Sequence, residues 1–271
     1  MSPAGPATAT APATVDSLAA QFAVLGLTPG RPVLVHTSLR RVGPVDGGAD
    51  TVLAALRRVL GAGTSIVVPA QTPDNSTTSP VFRAATSGLR PEEVRRYIAG
   101  IEGFDPRTTP SFGMGALAER VRLDPAAVRS VHPQTSFAAV GPDAAELMRV
   151  HELDSHLGDR SPLGALYRAD GVALLLGVDY AACTAFHLAE YRMPQLRVKQ
   201  YRCFVRADGH RQECGFTGVD LDDSDFQELG AALERDAGSA VTRGPVGHTE
   251  ARVLSIRRSV DFAVDWMARH R

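Results

Sequence analysis

The stretch PVLVHTSLRRVGPVDGGADTVLAALRRVLGAGTSIVVPAQ, residues 32–71, decides the fold class. PVLVHTSL is a short apolar, β-rich run that stops at His36, Thr37 and Ser38, so it reads as a buried strand with polar groups at its end. RVGPVDGG is a glycine-rich loop. ADTVLAALRRVLG carries its apolar residues at helical spacing, and GTSIVVPAQ is a second strand-like run. Strand, loop, helix and strand in that order predict an α/β fold.

The rest of the chain extends the pattern. VDSLAAQFAVLGL (15–27) reads as a helix that stops near a glycine, and the Ala/Pro/Thr-biased segment before it, residues 1–14, as a disordered tail. Residues 71–113 are rich in Pro, Ser and Thr, which predicts an irregular binding loop or lid. GMGALAERVRL, DAAELMRVHEL and SPLGALYRA read as helices, SFAAVG as a short strand, and GVALLLGV (171–178), the most apolar run, as a central strand. YRCFVRADGHRQECGF predicts a hairpin turning at Asp208-Gly209. Helices follow in VDLDDSDFQELGAALERD and SVDFAVDWMARH. No internal repeat or linker interrupts residues 15–271, which predicts one domain.

Composition narrows the function classes. With 44% hydrophobic and 22% charged residues, the 271-residue chain has the balance of a soluble globular protein. A formal net charge of −1 and no Lys/Arg run give no field for nucleic acid. Three cysteines without a CxxC pair fit a reducing compartment, and the absence of a signal peptide or an apolar run of roughly 20 residues makes the cytoplasm the expected address.

Several motifs are excluded by spacing. His151 and His156 in HELDSH are five apart, so the HExxH zinc geometry fails, and no metal is expected. No GxGxxG, Gx4GK[ST] or GxSxG pattern is present. Two constellations remain open. In ACTAFHLAEYR (182–192), His187 stands three residues before Glu190: on a helix the two can interact, as a base with its carboxylate or as a core histidine beside a solvated glutamate. The loop after Ser38 could offer backbone N–H groups to an anion, with Arg40 and Arg41 adding charge, or be a plain capped loop. His132 at a strand entry is the kind of histidine that serves a turn or core, and Cys183, four residues before His187, is either a nucleophile or a buried thiol. The acidic residues near 152–159 and 220–225 gain meaning only for a polycationic ligand.

Taken together, VHTSLRRVGPVDGGADTVLAAL, VVPAQTPDNS, TPSFGMGALAERVR, RSVHPQTSFAAVG, SHLGDRSPLGALYRADGVALLLGVDY, TAFHLAEYR and GPVGHTEARVLSIRRSVDFAVDWMARH resemble, in this order, the aminoglycoside 3-N-acetyltransferase family over about residues 16–270. The resemblance implies a central mixed β-sheet flanked by helices, of antibiotic N-acetyltransferase type and unlike the Gcn5-related fold. It implies transfer of acetyl from acetyl-coenzyme A to the 3-amino group of a 2-deoxystreptamine aminoglycoside, hence resistance. An N-acyltransferase of the same scaffold acting on a non-antibiotic amine is the alternative. By resemblance His187 is the general base, Glu190 its carboxylate or an anchor for the substrate amine, and Thr184 an oxyanion donor. His36, Thr37, Ser38, Arg40, Val42, Gly43, Gly47 and Gly48 would form the coenzyme A edge. Asp74, His132, Asp154, Asp159, Asp179 and Asp220 would meet the antibiotic. Many relatives carry Asn where this chain has Cys183. No metal, nucleic acid or membrane partner is implied, and the chain would act as a monomer or homodimer.

Overall fold

The computed structural model describes residues 11–271. The opening stretch folds as read: β1 (Val33–Thr37), a short helix α2 (Leu39–Val42) after α1 (Val15–Val24), then α3 (Ala49–Leu60) and β2 (Ile66–Pro69). β1 and β2 are parallel, as a helical crossover requires. The remaining helices are α4 (Pro80–Thr86), α5 (Pro91–Ala99), α6 (Ala116–Arg122), α7 (Ala144–Met148), α8 (Pro162–Arg168), α9 (His187–Glu190), α10 (Phe226–Asp236) and α11 (Ile256–His270). The remaining strands are β3 (Val128–Arg129), β4 (Phe137–Val140), β5 (Val172–Leu176), β6 (Val198–Ala207), β7 (His210–Val219), β8 (Val241–Val246) and β9 (Thr249–Ser255).

Among the described residues the main sheet has seven strands in the order β3-β4-β2-β1-β5-β9-β8. β1 is parallel to both β2 and β5; the pairs β2–β4, β3–β4, β5–β9 and β8–β9 are antiparallel, so the sheet is mixed. Side-chain alternation splits the strands between two apolar layers. Leu34, Val67, Phe137, Ala173 and Leu175 face one with α7, α8, α10 and α11, while Val33, Val35, Val68, Leu174 and Leu176 face the other with α1, α3 and α6. Helix α11 is set by its spacing: Ile256, Val260, Ala263 and Met267 share one buried stripe. Each such side chain is worth about 1.5–3 kcal/mol on burial.

The hairpin forms as expected, with Ala207 opposite His210 and positive φ at Asp208 (52°) and Gly209 (77°), the type I′ requirement. Other expectations need correction. The 71–113 segment is not wholly irregular, because Ser79-Pro80 and Pro91-Glu92-Glu93 start α4 and α5. Neither helix buries a residue, so both lie on the surface and outside the apolar layers. The helix expected over DAAELMRVHEL ends at Met148. Strands β8 and β9 were not anticipated; Gly244 and Pro245 suit β8 to the sheet edge it occupies. Of the expected tail, residues 1–10 lie outside the described residues. Ala13 donates to Pro44 O at 2.9 Å, and the Thr14 hydroxyl caps α1, so the chain is already fastened there.

Candidate active site

The sheet order places the site. β1 feeds β2 on one side and pairs with β5 on the other, so the strand order reverses at β1, and the carboxyl edge of such a sheet is where ligands bind. Three parallel strands deliver His36–Ser38, Ala70–Asn75 and Gly177–Asp179 to this edge. The antiparallel neighbours bring the start of β4, after His132, and the β8–β9 turn at Gly247-His248. From Asp179 the chain makes two 3-10 turns, Tyr180–Ala182 and Thr184–Phe186, and then α9.

On α9, His187 Nδ1 and Glu190 Oε2 are 2.6 Å apart. Glu190 is 4% exposed. Its other oxygen, Oε1, accepts from the Asp222 backbone N–H at 3.0 Å and from Arg271 at 2.5 Å. Both of those partners only donate, so Oε1 is an acceptor, and with Oε2 facing Nδ1 the hydrogen bond across the pair is met by the tautomer that carries its proton on Nδ1. That tautomer leaves Nε2 with its lone pair. The ring rests against Phe226, with centroids 4.7 Å apart. Thr184 is buried in the preceding turn.

The glycine-rich edge is equally specific. Gly43 has φ of 93°, and a Cβ there would stand 2.6 Å from Nδ1 of His248, whose backbone N–H donates to Val42 O at 2.8 Å. Gly48, with φ of 58°, precedes α3 without any side-chain cap, so the first-turn N–H groups of α3 remain open. Gly47 and Val42 complete this loop. Arg40 and Arg41 are exposed and make no ion pair among the described residues. His36 Nε2 and Thr37 Oγ1 are buried without a hydrogen-bond partner. Burial pushes the His36 imidazole down to about 4, so it stays neutral.

The acidic candidates divide. Asp154 pairs with Arg160, Asp159 with Arg192 and Asp220 with Lys199, all on the surface. These partners blunt the charge that would have drawn a polycation. Asp179 is exposed and outside any ion pair among the described residues. Asp74 is half-buried, and desolvation pushes its carboxyl up against two backbone hydrogen bonds. One of its oxygens has no partner. It lines a cavity of about 630 Å³ with Asn75, Tyr97, Glu102 and Arg206. A second cavity, of about 590 Å³, abuts Glu190 and Arg271 and is rimmed by Asp220, Asp222 and Asp225.

His132 departs from the substrate role expected of it. It is fully buried; Nδ1 accepts from Gln134 and Thr135 N–H, and Nε2 donates to Leu153 O at 3.2 Å. Its ring packs, tilted, against His151 and His156, with centroids 4.8 and 4.4 Å away. The pair that failed the zinc spacing therefore does meet in space, as part of a buried imidazole cluster; among the described residues no group of three or more potential ligands could hold a metal ion. Sequence reasoning missed this cluster, His248 and Arg271. Cys183 is fully buried, and burial pushes its thiol up to about 12, so no thiolate is present at neutral pH. Cys183→Ala is expected to keep activity within about threefold, as for a buried spectator thiol; a loss beyond a hundredfold in steady-state turnover would restore it as a nucleophile.

With this geometry in place, the comparisons decide the family. Residues 34–268 match the family model for aminoglycoside 3-N-acetyltransferase. The chain belongs to that family. A prophage-derived aminoglycoside N(3′)-acetyltransferase-like protein, YokD, of Bacillus subtilis is 35% identical over 95% of this chain and 93% of its own length. Aminoglycoside N(3)-acetyltransferase III of Salmonella sp is 40% identical over 91% and 88%. The crystal structure of YokD superposes with a TM-score of 0.88 at 33% identity, covering 96% of this chain and 94% of that one. AAC-IIIb in a binary complex with CoASH gives 0.82 at 28% identity, covering 96% and 98%. AAC-VIa bound to sisomicin gives 0.79 at 30% identity, covering 96% and 99%. Family membership makes this chain an acetyl-coenzyme A-dependent N-acetyltransferase with the mixed α/β fold of these enzymes. No helix of the described residues is long and apolar enough to cross a membrane.

Proposed function

We propose that the chain acetylates the 3-amino group of 2-deoxystreptamine aminoglycosides by direct transfer from acetyl-coenzyme A, with His187 as general base, and so protects a host from these drugs. The observation that carries this reading is the His187–Glu190 pair, 2.6 Å apart at the carboxyl edge of the sheet with Nε2 left to act. The attacking amine is an ammonium at neutral pH and must lose a proton to Nε2. Its nitrogen then bonds the thioester carbon and gives up a second proton to solvent, the C–S bond breaks, and the departing sulfur takes the first proton back from Nε2 as free thiol, so that one proton is released overall. Both oxygens of Glu190 are engaged inside the chain, which supports orienting His187 rather than gripping the substrate amine.

The remaining residues suit the cosubstrate. The open N–H groups of the first turn of α3, with Arg40 and Arg41 exposed on the preceding α2, fit the phosphates of coenzyme A. The unpaired Thr37 hydroxyl and Ser38 stand where the sheet edge meets that loop, and Thr184, in the turn before α9, would donate to the thioester oxygen. Asp74 and Asp179 are the carboxylates left for the cationic drug; Asp154, Asp159 and Asp220 would first have to release their partners.

The test is thiol release from acetyl-coenzyme A across sisomicin, gentamicin and neomycin, beside simple amines that lack the 2-deoxystreptamine ring. Drug-dependent release, with acetylation at the 3-amino group by NMR, is the expected result. Release with another amine alone would transfer the reading to a non-antibiotic acceptor.

A further inference from the structure

Arg271 is 81 residues from Glu190 in sequence, yet its guanidinium is the hub of the dyad's outer side. NH1 donates to Glu190 Oε1 at 2.5 Å. Nε and NH2 grip both oxygens of Asp225 at 2.8 and 2.5 Å, and NH2 also reaches Asp222 O at 2.7 Å. Helix α11 supplies the lever: its buried stripe fixes the axis, and Arg271 follows directly after its last residue.

We propose that Arg271 is a positioning residue for acyl transfer, holding the Glu190 carboxylate ionised and turned so that Oε2 fixes His187 with Nε2 as the base. This inference rests on the reading of His187 as base. Without the guanidinium the buried carboxylate would keep only the Asp222 N–H and His187 and would tend to take a proton, and a protonated Glu190 would no longer hold Nδ1–H. The bidentate hold on Asp225 fixes the guanidinium itself, so its charge is placed at low entropic cost.

The charged and titratable groups around His187 are few. Glu190 lies on its own helix; Asp222 and Asp225 precede α10; Arg271 follows α11; His156 stands in the 149–161 loop, held neutral by burial. Removing the positive charge of Arg271 favours a proton on the dyad, whichever member takes it. The acid limb of kcat/KM therefore moves up in pH.

The experiment is the pH profile of drug-dependent thiol release for wild type, Arg271→Ala, Arg271→Gln and Arg271→Lys, with melting curves alongside. Loss of the charge is expected to raise the acid limb by about half a unit to one unit, a threefold to tenfold loss at pH below the limb. Arg271→Lys, which keeps the charge, is expected to hold the limb at the wild-type position. Folded Ala and Gln variants whose profiles keep the wild-type shape, whether uniformly lower or unchanged, would overturn the positioning role. If Arg271→Ala fails to fold, the Gln and Lys pair decides. A wild-type profile with no acid limb, or turnover that survives His187→Ala, would sink the base reading instead, and the inference with it.

Discussion

His187→Ala is expected to lower kcat for aminoglycoside-dependent thiol release by about 10²–10⁴, the usual worth of a positioned general base. KM for acetyl-coenzyme A should hold, because the coenzyme edge at His36–Gly48 belongs to β1, α2 and the α3 loop and shares no element with α9. The ring is mostly enclosed and packs on Phe226, so removing it costs some packing as well, and melting curves must accompany the kinetics. A pH series separates the two losses. The missing proton acceptor matters most where the amine is an ammonium, so the deficit should narrow as pH rises toward the amine's own pKa. A misfolded variant would instead lose activity at every pH. Full activity in a folded His187→Ala enzyme would remove the base assignment and leave the family membership intact.

How much of this site could be read from residues alone depends on the reach of each interaction. The His187–Glu190 pair is local, three positions apart, and its spacing is legible in the sequence itself. The hairpin at Asp208-Gly209 and the β1–α3–β2 unit are legible for the same reason: turn chemistry and apolar period are properties of short windows. What escaped is long-range. Arg271 meets Glu190 only because α11 packs beside α9, and nothing in SVDFAVDWMARH marks the arginine that follows it. The acidic residues look alike in sequence, yet Asp154, Asp159 and Asp220 carry cationic partners while Asp179 does not, among the described residues. Strand β8 escaped for a different reason: a Gly-Pro step weakens the strand signal of an edge that needs no second neighbour.

The largest expected effect on stability comes from buried imidazoles that the reaction does not use. His36, His132, His151 and His156 are all buried, and burial is the leading cause that holds each well below its ordinary value, to about 4 for His36 and His132. Mutual repulsion deepens the effect for His151 and His156. Folded, the rings stay neutral; unfolded, they take a proton near pH 6.5. The unfolded chain thus binds more protons below pH 6.5, so stability is intact above that pH and falls as pH drops toward 4. His36 and His132 alone put up to about 3 kcal/mol each at stake, comparable to a large part of a domain's margin. The Glu119 carboxyl does not share this window. Burial works to raise the Glu119 carboxyl, but Arg122 and Ser111 together outweigh it and hold the group down to about 2. It costs stability only once the unfolded carboxyl protonates, below about pH 4.5. Urea unfolding between pH 6.5 and 4.5 should therefore show stability falling by about 3–5 kcal/mol per pH unit, the slope of two to four protons taken up. His132→Gln should reduce that slope by about one proton, roughly 1.4 kcal/mol per unit. The share of His132, His151 and His156 in this fall should be independent of bound drug or coenzyme, since their cluster lies inside the chain, away from the coenzyme edge. A flat stability curve down to pH 4.5 would mean that these rings reach water or protonate in the folded state, and the buried neutral cluster would have to be abandoned.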